Sequence, residues 1–325
     1  TMRGAVVTAF GEPEHIQIRH DLSEPVITKP DQVLIDVRAA GVNPIDTYIR
    51  TGTFPKLPAL PFVPGWDGAG VVREIGSSVT HLSVDDRVWF YGGSTGATAE
   101  VAVVTYAFRL PKELSFAEGA CLGIPYQTAH RALITKGHLK ASDRVLIHGA
   151  SGGVGLAASQ LARVAGALLI VGTAGTGPGL EAVRRNGAHH AVNHREEGYV
   201  QRLKEIVPDG FDLIIEMAAA TNLSVDLDLL AMGGRVGIVG GHGTAYIIPR
   251  ALMMKESTAF GVSMYGATRE DHCECAEAFD KLFASTEYRP VVNKCYDLQE
   301  TAQCHREMVD SRLPIVGNRV IIVKE

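Results

Sequence analysis

The stretch Arg144-Val145-Leu146-Ile147-His148-Gly149-Ala150-Ser151-Gly152-Gly153-Val154-Gly155 constrains the fold of this chain more than any other. An apolar β-type run breaks into glycines and resumes as Leu156-Ala157-Ala158-Ser159-Gln160-Leu161-Ala162. The pattern predicts strand, tight turn and helix. In such a turn the backbone N–H groups can approach a pyrophosphate, and the helix dipole favours its negative charge. A dinucleotide is therefore the first ligand to consider. The spacing Gly149-x-x-Gly152-Gly153-x-Gly155 departs from strict G-x-G-x-x-G, and a strand followed by a plain glycine turn fits the same letters.

The flanking texture widens the pattern to a fold. A chain of 325 residues suits two domains and buries two cores. From Gly4 to about Gly123 short strands alternate with Pro and Gly, as in Val33 to Ala39, Gly70 to Gly76 and Asp86 to Phe90. From about Pro125 to Ser285 strands alternate with helices, the signature of a parallel sheet wound on both faces. Its strands are expected at Arg144 to His148, Leu168 to Gly172, Ala191 to Asn193, Asp212 to Glu216, Arg235 to Val239 and Ala259 to Val262. After Tyr288 strand-like segments return and end in Asn318-Arg319-Val320-Ile321-Ile322-Val323, which most simply rejoins the first domain. The expected organisation is an α/β chain with a β-rich domain over 1–124 and 288–325 and a doubly wound Rossmann domain over 125–287.

Apolar residues make up 46% and charged residues 21%, a globular composition, and no run of eighteen uninterrupted apolar residues occurs. The N-terminal Met2 to Val7 reads as a short strand and not as a signal segment, so a soluble, cytoplasmic protein is expected. Five scattered cysteines (Cys121, Cys273, Cys275, Cys295, Cys304) lack framework or zinc spacing and read as reduced, structural thiols. A net charge of −5 argues against bulk attraction to nucleic acid or an anionic membrane. Arg184-Arg185 is a lone pair, and Arg202 with Lys204 reads as a solvated mixed face.

In a Rossmann unit the second strand ends in an acid that binds the adenosine ribose. Here that strand ends Ile170-Val171-Gly172-Thr173-Ala174-Gly175-Thr176, without an acid. A carboxylate there would repel a 2′-phosphate, whereas small and hydroxylated residues leave room and donors for one, so NADPH is favoured over NADH. An ordinary strand-end loop is the competing reading. His194-Arg195 is the best local pair to hold the phosphate.

Five segments carry a family resemblance: Ala39 to Arg50 (Ala-Ala-Gly-Val-Asn-Pro-Ile-Asp-Thr-Tyr-Ile-Arg), Gly123-Ile124-Pro125-Tyr126-Gln127-Thr128-Ala129, His148 to Leu156, Asn186 to His189 with Asn193 to Glu196, and Lys255-Glu256-Ser257. On these the chain resembles the medium-chain dehydrogenase/reductase superfamily, and within it the zinc-independent quinone oxidoreductase or zeta-crystallin subfamily. The resemblance implies a GroES-like catalytic domain beside the Rossmann domain. Zinc-dependent members carry a Cys where this chain has Asn43, a Gly-His-Glu where it has Gly65-Trp66-Asp67, and a further four-cysteine lobe. Neither catalytic nor structural zinc has its ligands, so no metal is expected and the acceptor should already be electrophilic.

By the same resemblance Tyr48 and Asn43 lie beside the nicotinamide as catalytic residues, Tyr48 also touching the cofactor. Ser151, Gly152, Gly153 and Val154 take the pyrophosphate, Gly175 and His194 the adenosine phosphate, and Asn222 lies nearby. Val239, Gly240, Gly241 and His242, with Val262, Ser263 and Met264, wrap the nicotinamide half. Read as residues alone, Tyr48 with Ile45 and Ile49 also suits a packed helix, Asn43 before Pro44 a turn opener, and His194 a loop histidine. The chain departs from its relatives at Thr95 to Val101, which lacks two aromatics, at the bulky Trp66, and at Gly177-Pro178-Gly179, where bacterial relatives carry a Lys. The implied activity is NADPH-dependent quinone reduction by hydride or electron transfer, in a homodimer or homotetramer. The alternatives are an NADPH-dependent reductase of α,β-unsaturated carbonyls and a non-catalytic crystallin or RNA-binding protein, RNA being disfavoured by the acidic balance.

Overall fold

The computed structural model describes residues 1–93, 95–310 and 312–324. It divides into two compact units, one of Thr1–Ile124, Ala276–Leu313 and Gly317–Glu325, the other of Pro125–Cys275 with Pro314–Val316. The second division falls inside a helix, at Cys275/Ala276.

The first unit opens with a two-stranded antiparallel ribbon, β1 (Met2–Val7) and β2 (Ile16–Leu22). β3 (Val33–Val42), β4 (Asp67–Ile75), β5 (Arg87–Gly93) and β6 (Val101–Arg109) form an antiparallel meander, and β3 also pairs with β6. These four strands thus close on themselves and leave no bare edge, the usual danger for a small sheet. Alternation supplies the core: Val33, Ile35 and Val37 of β3 point the same way and are buried with Val88, Phe90, Ala102 and Val104. Helix α1 (Pro44–Thr51) follows β3 directly and α2 (Phe116–Gly119) follows β6.

The second unit begins with α3 (Gln127–His130), flanked by π-type turns at 122–126 and 131–135. It continues as β7 (Arg144–Ile147), α4 (Gly153–Val164), β8 (Leu169–Ala174), α5 (Gly177–Arg185), β9 (His190–Asn193), α6 (Tyr199–Ile206), β10 (Phe211–Glu216), α7 (Ala219–Leu229), β11 (Leu230–Ile238), α8 (Pro249–Lys255) and β12 (Thr258–Gly261). The sheet is wholly parallel in the order β12-β11-β10-β7-β8-β9, the doubly wound arrangement expected from the sequence. Strand order reverses between β7 and β10, and in such sheets ligands bind at the carboxyl ends of the strands near that reversal. Central strands buried on both faces read as continuous apolar runs, as Val145-Leu146-Ile147 and Leu213-Ile214-Ile215 do.

After α9 (Arg269–Ser285) the chain forms β13 (Val292–Asp297), α10 (Thr301–Val309) and β14 (Asn318–Ile322). β14 pairs antiparallel with β3 and parallel with β13, so the C-terminal strand does rejoin the first unit's sheet.

Candidate functional site

The turn after β7 is built by two glycines with different tasks. Gly149 sits at φ 56°, the left-handed region. At Gly155 an added Cβ would lie 2.4 Å from Ala150 Cα and 2.5 Å from the Gly149 carbonyl, so only glycine lets α4 pack this close to the turn. Gly152 is the N-cap residue of α4, and a Cβ there would meet nothing nearer than 3.6 Å, which leaves the outer side of the turn open. Helix geometry leaves the amides of the first residues, Gly153 and Val154, without intrahelical acceptors. Ser151 is buried beside them.

Gly175 follows β8, and a Cβ on it would lie 2.8 Å from His194 Nε2 and 2.7 Å from Arg195 Nε. Two basic side chains therefore converge on the strand end that carries no acid. His194 is held below its usual pKa by burial first, then by the Arg195 charge. Thr176 caps α5, its hydroxyl accepting from the Gly179 amide at 3.2 Å. The sequence analysis had paired His194 with Arg195 and, by resemblance, His194 with Gly175; the fold adds the close approach of both side chains to Gly175.

Past β10, Asn222 lies in the first turn of α7, its side chain 3.2 Å from Glu216 Oε1. Residues 239–241 run against the start of α7: the Val239 amide donates to the Glu216 carbonyl at 2.9 Å, and the Ala219 amide to the Gly240 carbonyl at 3.0 Å. His242 continues that segment. Val262 donates to the Ile238 carbonyl at 2.9 Å, and Ser263 caps the short turn Met264–Gly266. Buried Arg131 holds the same turn, donating to the Gly266 carbonyl at 2.9 Å and pairing with Asp271 at 2.6 Å. Ser151 to Val154, Gly175, His194, Asn222, Val239 to His242 and Val262 to Met264 thus all stand along one edge, the carboxyl ends of the parallel strands.

Asn43 and Tyr48 belong to the first unit. Asn43 precedes α1, with Pro44 at the first helical position and Gly52 closing the helix at φ 81°. Its amide donates to Asp46 Oδ2 at 2.8 Å, while its side chain turns away and donates to Asp67 Oδ2 at 2.7 Å. Asp67 also accepts from the Ile124 amide at 2.8 Å. Burial holds the Asp67 carboxyl well above the usual range and pushes Asp46 up to about 7. Tyr48 is half-buried, and burial raises its phenol, so at neutral pH it is a hydrogen-bond donor.

The residues at 43, 66 and 67 do not fit a zinc site. Asn43 is a poor ligand, Trp66 is none, and the Asp67 oxygens are engaged by the Ile124 amide and the Asn43 side chain. No step through a metal follows.

Sequence reasoning missed several polar groups in this edge. Glu216 ends an apolar strand and Asp226 interrupts the apolar face of α7 between Leu223 and Leu227, an acid in each place where burial is expected. Those two interruptions were the available signal.

Two sequence families match the chain: "Alcohol dehydrogenase GroES-like domain" over residues 29–113 and "Zinc-binding dehydrogenase" over residues 153–282. A protein named quinone oxidoreductase from Homo sapiens is 45% identical over 311 residues, 95% of this chain and 94% of that one. One of the same name from Sus scrofa is 46% identical over 309 residues, 94% of this chain and 93% of the other. Among solved structures, Escherichia coli quinone oxidoreductase complexed with NADPH aligns with TM-score 0.87 at 29% identity, covering 98% of this chain and 99% of that one. A mycobacterial protein complexed with NADPH aligns with TM-score 0.87 at 27% identity, over 99% and 100% of the two chains.

Proposed function

Because the chain belongs to the quinone oxidoreductase family of the medium-chain dehydrogenases/reductases, we propose that it is a zinc-independent, NADPH-dependent quinone reductase. The observation that carries this reading is the likeness to quinone oxidoreductases over nearly the whole chain. The Asn43–Asp67 pair in place of metal ligands agrees with it, since a quinone is electrophilic without a Lewis acid.

When bound, NADPH supplies a hydride or an electron at the C4 of its nicotinamide. The amides at the start of α4 hold the pyrophosphate, with Ser151, Gly152, Gly153 and Val154 lining it. His194 and Arg195, the two basic side chains that meet beside Gly175, would hold the 2′-phosphate. Asn222 lies near the adenosine phosphate, and Val239 to His242 and Val262 to Met264 fix the nicotinamide half. Asn43, its rotamer set by Asp67, and Tyr48, kept protonated by burial, donate hydrogen bonds to the acceptor oxygens as charge builds there. Residues 125–287 serve as the nucleotide domain and 1–124 with 288–325 as the catalytic domain.

The proposal extends to assembly. β12 is the edge of its sheet, and around it Tyr246, Ile248, Met253 and Met254 are 87%, 72%, 71% and 69% exposed. A bare strand edge flanked by apolar side chains suits pairing with a second copy, which makes the protein a homodimer or a homotetramer built from such dimers. Among the described residues no helix is long and apolar enough to cross a membrane. Five unpaired thiols fit a reducing compartment, and we place the protein in the cytoplasm.

Steady-state oxidation of NADPH with a quinone, run beside an alkenal, tests the activity. Faster turnover of the quinone is expected. Faster turnover of the alkenal would make this a reductase of conjugated carbonyls, and no NADPH binding in a fluorescence titration would leave a non-catalytic crystallin or RNA-binding role.

A further inference from the structure

Four polar side chains of the second unit are buried directly beneath the glycine turn, and the reaction does not use them. Thr173 in β8, His148 after β7, Glu216 at the end of β10 and Asp226 in α7 are all 3% exposed or less. Their contacts are continuous. Thr173 Oγ1 accepts from the Gly149 amide at 3.3 Å and lies 3.2 Å from His148 Nδ1. His148 Nε2 lies 2.9 Å from Asp226 Oδ1 and 3.8 Å from Glu216 Oε2. Glu216 Oε1 accepts from the Asn222 side chain at 3.2 Å and from the Ala218 amide.

Proton positions follow from this connectivity. Asp226 Oδ1, as a carboxylate oxygen, accepts the imidazole proton from Nε2. In a neutral ring Nδ1 is then the acceptor, and the Thr173 hydroxyl donates to it while also accepting from the Gly149 amide. Burial lowers the His148 pKa, which keeps the ring neutral. Glu216 Oε2 and Asp226 Oδ2 are buried and meet no amide, hydroxyl or ammonium donor. One oxygen of each acid and a ring nitrogen of His148 lie within 4.8 Å of one another, so the two carboxyls are near enough for one proton to serve both. Burial raises both acids, Glu216 to about 7 and Asp226 to about 6.

We propose that Thr173, His148, Asp226 and Glu216 are positioning residues for the dinucleotide: a buried relay, closed by one shared proton, that fixes the Gly149 amide at one end and Asn222 at the other. It rests on the reading of this edge as the NADPH site. The relay joins a residue of the pyrophosphate turn, Gly149, to a second residue of the proposed cofactor site, Asn222, 73 positions later in the sequence. It also sets the charge under the turn. With the proton in place the pair carries one negative charge. Without it the pair carries two, which oppose the phosphates above. Cofactor affinity should therefore fall as pH rises through the pair's titration. The other titratable groups facing the relay are His194 after β9, which senses His148, and Tyr199 of α6, which senses Asp226 and Glu216. His194 loses phosphate affinity in the same direction, so the wild-type slope alone is not diagnostic.

The test is the NADPH dissociation constant from pH 6 to 9, by fluorescence titration, for wild type, Thr173→Val, Glu216→Ala and Glu216→Gln, with thermal melts to establish that each folds. Thr173→Val keeps the shape and removes the hydroxyl, so affinity at pH 7 should weaken about tenfold, the scale of one buried hydrogen bond. Glu216→Ala should weaken it similarly. Glu216→Gln should rescue affinity and show a shallower alkaline loss than wild type. Glutamine offers a carbonyl to Ala218 and Asn222 and an N–H to Asp226, as the protonated acid does, and it does not titrate. Wild-type affinity in Thr173→Val, or a Gln variant as weak and as pH-dependent as the Ala variant, would overturn the relay. So would a divalent ion retained at this cluster at one per chain. A wild-type protein that binds no NADPH would overturn the functional reading as well, whereas normal wild-type binding with indifferent variants removes the relay alone.

Discussion

At the scale of single residues, selectivity between the two nicotinamide cofactors turns on Gly175. The atoms nearest a Cβ at this position belong to the side chains of Arg195 and His194 and not to backbone, so a larger residue can be accommodated by a rotamer change in them. Gly175→Asp would then place a carboxylate where the 2′-phosphate is held. The ratio of kcat/KM for NADPH over NADH should fall about a hundredfold, from the ~3 kcal/mol scale of like-charge juxtaposition. An unchanged ratio would remove Gly175 from the phosphate site. The missing acid at this strand end was legible in the sequence because it depends on a local strand-turn pattern. That Asn43 is oriented by Asp67, 24 positions away, was not legible, because antiparallel pairing of β3 and β4 brings them together.

At the scale of elements, the β7 turn and α1 can each be perturbed by a single substitution. Gly155→Ala forces a Cβ against backbone at 2.4 Å, and backbone cannot swing away. It should cost about 1–3 kcal/mol of stability, read from the urea midpoint, together with loss of NADPH binding. Wild-type stability would show that α4 can shift outward freely. α1 carries a pH signature through Asp46. Its folded pKa, raised to about 7 by burial, lies above the ordinary carboxylate value. The stability it contributes is therefore complete below about pH 4 and is lost as pH rises toward about 7. Asp46→Asn keeps an acceptor for the Asn43 amide and does not titrate, so the variant should gain on wild type across that window. Parallel stability curves for the two proteins would show that Asp46 titrates normally. The starts of α4 at Gly153 and of α7 at Ala219 are not legible in the sequence. Their first turns hold Gly153, Val154 and small alanines, which carry no periodic apolar signal.

At the scale of the whole molecule, self-association is the property most exposed to test. Ile248→Lys with Met254→Lys places two charges on the exposed apolar face beside β12. Sedimentation should show the wild-type protein as a dimer or tetramer and the variant shifted to monomer. A monomeric wild type would end the edge-pairing proposal. By itself the sequence determined the alternation of strands and helices over the second unit, the turn that opens α4, the acid-free end of β8 and the want of zinc ligands at 43 and 66. Each of these is written in neighbouring residues, where backbone preference, side-chain size and donor chemistry act over one or two turns. Only the tertiary structure decided that β3 to β6 close on themselves, that β14 pairs with β3 and β13 in particular, how closely His194 and Arg195 approach Gly175, and that Thr173, His148, Asp226 and Glu216 meet under the glycine turn. Those outcomes depend on strand order and on burial, which set distances between residues far apart in the chain and raise the proton affinity of acids that no local pattern marks as special.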